Sequence, residues 1–125
     1  MAALVTNNGL ANITAAWHNY ASRVRYLQWG EGSGQGASDN DIASVGNTTE
    51  SRTEGTTSQQ TENTTNDTYQ VVGTITAAGN RAITEVGVFD AATDGNMGIY
   101  GDFPVINLAA SDSITFTVRV TLDQV

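Results

Sequence analysis

"ITEVGVFDAATDGNM", residues 83–97, is the stretch on which the fold turns. Its first half alternates, which predicts a strand over 81–91. Ile83, Glu85, Gly87 and Phe89 then share one face, and Thr84, Val86 and Val88 share the other. On that reading Glu85 lies among core-side neighbours and needs a partner, for which Arg81 on the same face is the candidate. Gly87 admits the close approach of another backbone. "DAATDGNM" becomes the turn into the next strand. The competing reading is an acidic site, because Asp90, Asp94 and Asn96 carry the hard oxygens that calcium prefers. The spacing lacks the alternation, central glycine and terminal Glu of an EF-hand loop. Asp and Asn also build turns without metal, by bonding their own backbone. The same holds for "DND" at 39–41. As a pair of glycosidase carboxylates, Glu85 and Asp90 fall on opposite faces of one strand, the wrong arrangement for flanking a scissile bond.

Working outward, "TYQVVGTITA" (68–77) reads as a second strand, joined to 81–91 by "AGN" in a hairpin. Residues 96–108 read as two short strand pieces around Pro104, which suits an edge or a bulge. "SDSITFTVRVTLDQV" has the cleanest period of two in the chain. Ile114, Phe116, Val118, Val120 and Leu122 face in, and Thr115, Thr117, Arg119 and Thr121 face out. In the N-terminal half, Leu10, Ile13, Trp17 and Tyr20 mark one face of a helix over 7–20, with Asn7 or Asn8 as its cap. Residues 22–30 read as a strand with Val24, Tyr26 and Gln28 on one side and Arg23, Arg25, Leu27 and Trp29 on the other. "GEGSGQG" is a loop, and 39–45 a short turn of helix. The tract 46–68 has no large apolar residue. It reads as a disordered loop or as an exposed β-ribbon that gains partners by assembly.

The 125 residues are enough for one domain. Only 39% are hydrophobic and 14% charged; Thr, Ser, Asn and Gly fill the gap, a mixture suited to strands and exposed turns. The expectation is an all-β antiparallel sandwich, jelly-roll-like, with one short N-terminal helix. An extended arm covers 1–6 and a single domain 7–125. The net charge is -8 and every cation is an Arg. Such a chain repels nucleic acid and anionic membranes, since affinity for phosphates comes from Lys and Arg. No cysteine is present, so there is no disulfide framework or thiolate metal site. The N-terminus has no basic region followed by a long apolar run. Synthesis in the cytoplasm and release by lysis within a particle fit that start.

Chemistry is sparsely provided for. His18 is the one histidine, with no nucleophile motif such as G-x-S-x-G to serve. "GEGSGQG" lacks the Lys-Ser/Thr of a phosphate loop. No catalytic, cofactor or metal residue is assigned, and the chain is not expected to be an enzyme. Trp17, Tyr20, Tyr26, Trp29, Tyr69 and Tyr100 are the material for a sugar-stacking platform, with Trp29 beside the glycine loop the best placed; core packing is the competing use.

Several segments in order resemble a group of small bacteriophage virion proteins, namely head decoration (cement) proteins and N-terminal domains of tail-fibre-like proteins. They are "NNGLANIT", a strand ending in "WGEGSGQGASDNDIASVGNTTESR", and "ITEVGVFDAATDGNMGIYGDFPVINLAASDSITFTVRV". The matching positions are Asn8, Gly9 and Leu10; Trp29, Gly30 and Gly32; Ala37 and Asp41; Glu50; 83–91; and 112–114. The tract 46–68 departs from the pattern in having almost no apolar strand residue. The resemblance implies a virion structural protein, a sandwich assembled as a homotrimer. Its partner would be the major capsid protein on the outer face of the shell, or another virion protein in a tail or collar. Ala2, Ala3, Leu4, Val5 and Thr6 in the arm, and Thr56, Thr57, Gln59 and Gln60 in the polar tract, are the candidate assembly contacts. Trp29, Ile83, Glu85, Gly87, Phe89 and Phe116 are the candidate fold-signature core.

Overall fold

The computed structural model describes residues 2–42 and 49–124. Helix α1 (Asn7–Asn19) precedes seven strands: β1 (Tyr26–Gly30), β2 (Thr53–Glu54), β3 (Thr56–Gln60), β4 (Thr68–Thr76), β5 (Arg81–Phe89), β6 (Met97–Leu108) and β7 (Ser113–Thr121). They form two antiparallel sheets, one ordered β2-β1-β5-β6 and the other β3-β4-β7. The inner rows of both sheets make the core. Leu27 and Trp29 come from β1, Tyr69, Val71 and Ile75 from β4, and Phe116 from β7. The expected sandwich with an N-terminal helix is the architecture observed.

The helix is where its apolar spacing puts it, but its cap and its buried face differ. Thr6 is the N-cap, its hydroxyl accepting from the Gly9 amide at 3.2 Å; neither Asn7 nor Asn8 serves. The inward stripe is Leu10 and Thr14, both buried, with Trp17 half-buried, while Ile13 and Tyr20 stay exposed. The reason is polar. Thr14 donates its hydroxyl to the carbonyls of Ala11 and Asn66 and accepts from the Gln59 amide. A hydrogen-bonded threonine is thus buried where an isoleucine was expected. Trp17 stacks on Tyr69 with centroids 4.5 Å apart and planes 13° apart, which fixes α1 over the β3–β4 side of the sandwich.

The strand expected over 22–30 starts only at Tyr26. Val24 precedes it outside the ladder and is buried in the core beside Leu27 and Trp29. Two further expectations fail. The segments 68–77 and 81–91 do not form a hairpin, because β4 and β5 lie in different sheets. Each supplies one inward apolar row, and a sandwich needs those rows opposed rather than side by side. The connection is held on the β7 side, where the Ala77 amide donates to Asp112 and its carbonyl accepts from Ser111. The tract 46–68, in its described part, is neither a loose loop nor an outlying ribbon. It contains β2 and β3, each paired within this chain. The tract buries polar groups instead of apolar ones: Thr57 in β3, Asp67 in the turn after it and Thr68 at the start of β4 are all buried. Residues 46–48 lie outside the described residues, as do 43–45 of the helical turn expected over 39–45; 39–42 hold no helix.

β2 and β3 are one path that changes sheets at Gly55. A Cβ there would meet a Val71 methyl at 2.6 Å, a Leu27 methyl at 2.9 Å and the Val72 carbonyl at 3.0 Å. Gly73 packs opposite, and its Cβ would fall on the same Leu27 methyl. Gly55→Ala is therefore expected to destabilise by about 1–3 kcal/mol, the usual cost of overpacking a tight core. Urea unfolding checks it; an unchanged midpoint would mean the sheet switch has slack.

β6 is a single strand, with Pro104 in its interior. It ends its sheet, and the register shifts between Ile83 and Glu85, so that Phe103, Pro104 and Val105 lie opposite Thr84. The expected edge or bulge position holds on both counts. β7 alternates as read, with Phe116 buried and Ile114, Val118 and Val120 half-buried. It too ends its sheet, which is why that inward row is incompletely covered.

Candidate functional site

The register shift divides the "ITEVGVF" stretch differently from simple alternation. Ile83, Val86 and Val88 belong to the core. Glu85, Gly87 and Phe89 turn to the outer face of the four-stranded sheet, where Gly87 pairs with Gln28 and Tyr100, and Phe89 with Tyr26 and Met97. They are nonetheless buried, covered by connecting segments. Arg52 lies over the Phe89 ring, its guanidinium carbon 3.6 Å from the centroid. The same guanidinium donates to Gln28 at 2.9 Å and to the carbonyls of Ala91 and Asp94 at 2.9 and 2.7 Å. The loop that offered itself as a cation site is thus organised around an arginine. Asp90 closes it by accepting from the Asn96 amide at 2.8 Å, in the turn expected there. Gly87 makes room for side chains, not for a backbone: a Cβ would meet the Met97 sulfur and the Phe89 ring, each at 2.9 Å.

Arg81 is not the partner of Glu85. Tyr100 donates its hydroxyl to Glu85 Oε2 at 2.8 Å. Burial, reinforced by that carboxylate, pushes the Tyr100 hydroxyl up to about 12. Glu85 is fully buried, and its Oε1 has no partner among the described residues. Arg81 instead pairs with Glu50 at 2.9 Å, and Glu50 also accepts from the indole of Trp29 at 2.9 Å. The Arg81 hydrogen bonds hold the Glu50 carboxyl below the usual range. Three positions far apart in sequence, Trp29, Glu50 and Arg81, so form one buried knot. Periodicity has no way to reveal it.

The glycine loop after β1 is tied down. Glu31 accepts from the Ala82 amide at 2.8 Å, the Gly32 carbonyl from the Thr84 hydroxyl at 2.6 Å, and Asp102 from the Gly34 amide at 3.3 Å. Gln35, Gly36, Asp39, Met97 and Tyr100 line a cavity of about 270 Å³ between this loop and β6.

The candidate assembly residues divide. In the arm, Ala2, Ala3, Leu4, Val5 and Thr6 are exposed, Leu4 at 71%. In β3, Thr56 is exposed, whereas Thr57 is buried, accepting from Arg23 Nε at 2.9 Å and bonded to His18 Nδ1 at 2.9 Å. Gln59 donates to the Ala11 carbonyl at 3.1 Å, and Gln60 to Ser58 at 2.9 Å. Thr57 and Gln59 therefore fasten α1 to its own domain, and His18 is part of that fastening. Two aromatics of the candidate sugar platform, Trp29 and Tyr69, are interior. Trp29 is 1% exposed and meets Phe116 edge-on, and Tyr69 is fully buried. Neither offers a face to a sugar.

The unanticipated feature is the surface of α1 itself. Ile13 and Tyr20 are exposed, seven residues apart on one helix face, with the exposed Ala16 between them. No Asp, Glu, Lys or Arg precedes Arg23. In a chain of net charge -8 the N-terminal segment is an uncharged, partly apolar surface. Among the described residues no three His, Cys, Asp or Glu side chains converge as metal ligands, and no helix is long and apolar enough to cross a membrane. No family model, no curated protein and no solved structure matches the chain.

Proposed function

We propose that this chain is a bacteriophage head decoration protein, a non-enzymatic cement that binds the outside of the shell and bridges neighbouring major capsid subunits. The observation that carries the reading is where the virion-like residues sit. Trp29, Glu50, Ile83, Val86, Val88 and Phe89 are buried as framework, so the shared pattern specifies a scaffold and leaves its surface to recognition. The chain is acidic, at net charge -8, and the segment before Arg23 is one of its uncharged stretches. Charge is depleted at the centre of protein interfaces, which makes the Ile13–Tyr20 face of α1 the footing on the capsid. Acidity favours the outer side of the shell, away from packaged DNA. Several weak footings on one oligomer add through effective concentration.

The test is copy number and binding. Quantitative mass spectrometry of purified particles is expected to count hundreds of copies. About a dozen or fewer would favour the tail or collar component instead. Ile13→Lys is expected to abolish binding of the recombinant protein to heads that lack it, while leaving its melting temperature unchanged.

A further inference from the structure

The sandwich is closed on one side and open on the other. α1 seals the β3–β4 side through Trp17 and Tyr69. At the opposite side β6 and β7 end their sheets, and among the described residues no strand pairs with the outer edge of either. Between these edges Ile99, Phe103, Leu108, Ile114 and Val118 are only partly buried against the core. Val105 and Ile106 on β6 are 52% and 39% exposed. An open strand edge carrying apolar side chains is a template for another strand.

Among the described residues the exposed large apolar side chains are Leu4, Val5, Ile13, Tyr20, Val105 and Ile106. They fall in two places, the N-terminal segment and the β6 edge. The two are different in kind: one is an extended arm, the other a strand with free backbone groups. Both are uncharged, since residues 103–111, like those before Arg23, contain no Asp, Glu, Lys or Arg. Two copies at -8 each repel, and the cost of approach is least where uncharged surfaces meet.

We propose that the β6 edge of one copy seats the N-terminal arm of a second copy, with Leu4 and Val5 covering Val105, Ile106 and the open seam behind them. The arm adds to the edge as a short extended strand. The contact is head-to-tail, because donor and acceptor are different surfaces of the same chain, and such contacts close into rings when the rotation allows. This rests on the reading of the chain as a self-assembling virion protein, and it names the surfaces that assemble.

Sedimentation velocity of the full chain tests it. The wild type is expected as one discrete oligomer. Leu4→Lys and Ile106→Lys are each expected as monomers with wild-type melting temperatures, since both positions are exposed. Mixed in equal amounts, the two variants are expected to form a 1:1 dimer: the first keeps an intact edge, the second an intact arm. A monomeric wild type, a variant of wild-type mass, or no dimer in the mixture would overturn the proposal. Should either variant unfold, Val5→Lys and Val105→Lys replace it with the same expected outcomes. Head binding is scored separately. A monomeric wild type that still decorates heads sinks this interface and leaves the decoration reading standing.

Discussion

Trp29→Ala is expected to lower folding free energy by about 3–5 kcal/mol, the range for emptying a large aromatic site. Against a total of about 5–15 kcal/mol for a domain, much of the population would unfold or be lost as insoluble material. Two effects combine. The indole packs edge-on to Phe116 in the centre of the sandwich, so its removal leaves a cavity that neither sheet can close. The same residue donates to Glu50, which Arg81 also holds, so the carboxylate loses one of its donors while still buried. Trp29→Phe separates the two by keeping most of the ring and removing the N–H; a smaller loss is expected. Urea melts of both variants measure the difference. If Trp29→Ala were as stable as wild type, the two sheets would not be packed as described. Phe116→Ala empties the other half of the same contact and is expected to fall in the same range.

Asp67→Asn is expected to lower the melting temperature at neutral pH and to flatten its dependence on acid. Asp67 is fully buried at the entry to β4. Its carboxylate accepts from the amides of Glu62, Asn63 and Thr64 at 3.0, 3.0 and 2.9 Å and from the Thr68 hydroxyl at 2.8 Å. The Glu62 amide leads these donors in holding the carboxyl far below the ordinary 3.8 of an aspartate. A depressed folded value means the folded state binds its proton less readily than the unfolded chain does. The contribution is therefore complete above the ordinary aspartate range. It is lost progressively as pH falls through that range toward the folded value. Asparagine would turn its NH₂ toward backbone donors that need an acceptor. The gap between wild type and Asp67→Asn should be widest near pH 7 and shrink steadily below about pH 4. A gap that stays constant with pH would show that the carboxylate's charge is not what organises the 61–67 turn.

Asp67 also shows why half of this fold was hard to read. Where burial is apolar, the pattern in the sequence survives. β7 alternates because one face meets the core and the other meets water, and the turn from β5 to β6 carries the Asx and Gly residues its backbone requires. Where burial is polar, the pattern disappears. Thr14, Thr57, Asp67 and Thr68 are interior through hydrogen bonds, and nothing in hydrophobic periodicity marks them. That is why α1 is rotated from its apolar stripe and why β2 and β3 look like a polar tail. The β4–β5 connection fails for another reason. A short Gly-Asn link serves a hairpin or a crossing between sheets equally well, and the choice is made by distant partners, β1, β3, β6 and β7.

The candidate surfaces divide along the same line. The arm was legible as a short extended segment ahead of the helix and as a candidate contact, and its residues are indeed exposed. The exposed face of α1 was not, because Ile13 and Tyr20 were assigned to the core and emerged on the surface only when Thr14 took the inward position. The β6 edge was legible only as far as Pro104. Its open seam depends on four strands facing three, which no local stretch encodes.

If the chain is the head decoration protein proposed above, cryo-electron microscopy of phage particles that carry it tests the account most directly. The expected result is density for the sandwich at repeated positions over the outer shell, with the Ile13–Tyr20 face of α1 against the capsid and the acidic loops toward solvent. Density confined to a tail or collar, or a shell bare of this protein, would contradict it.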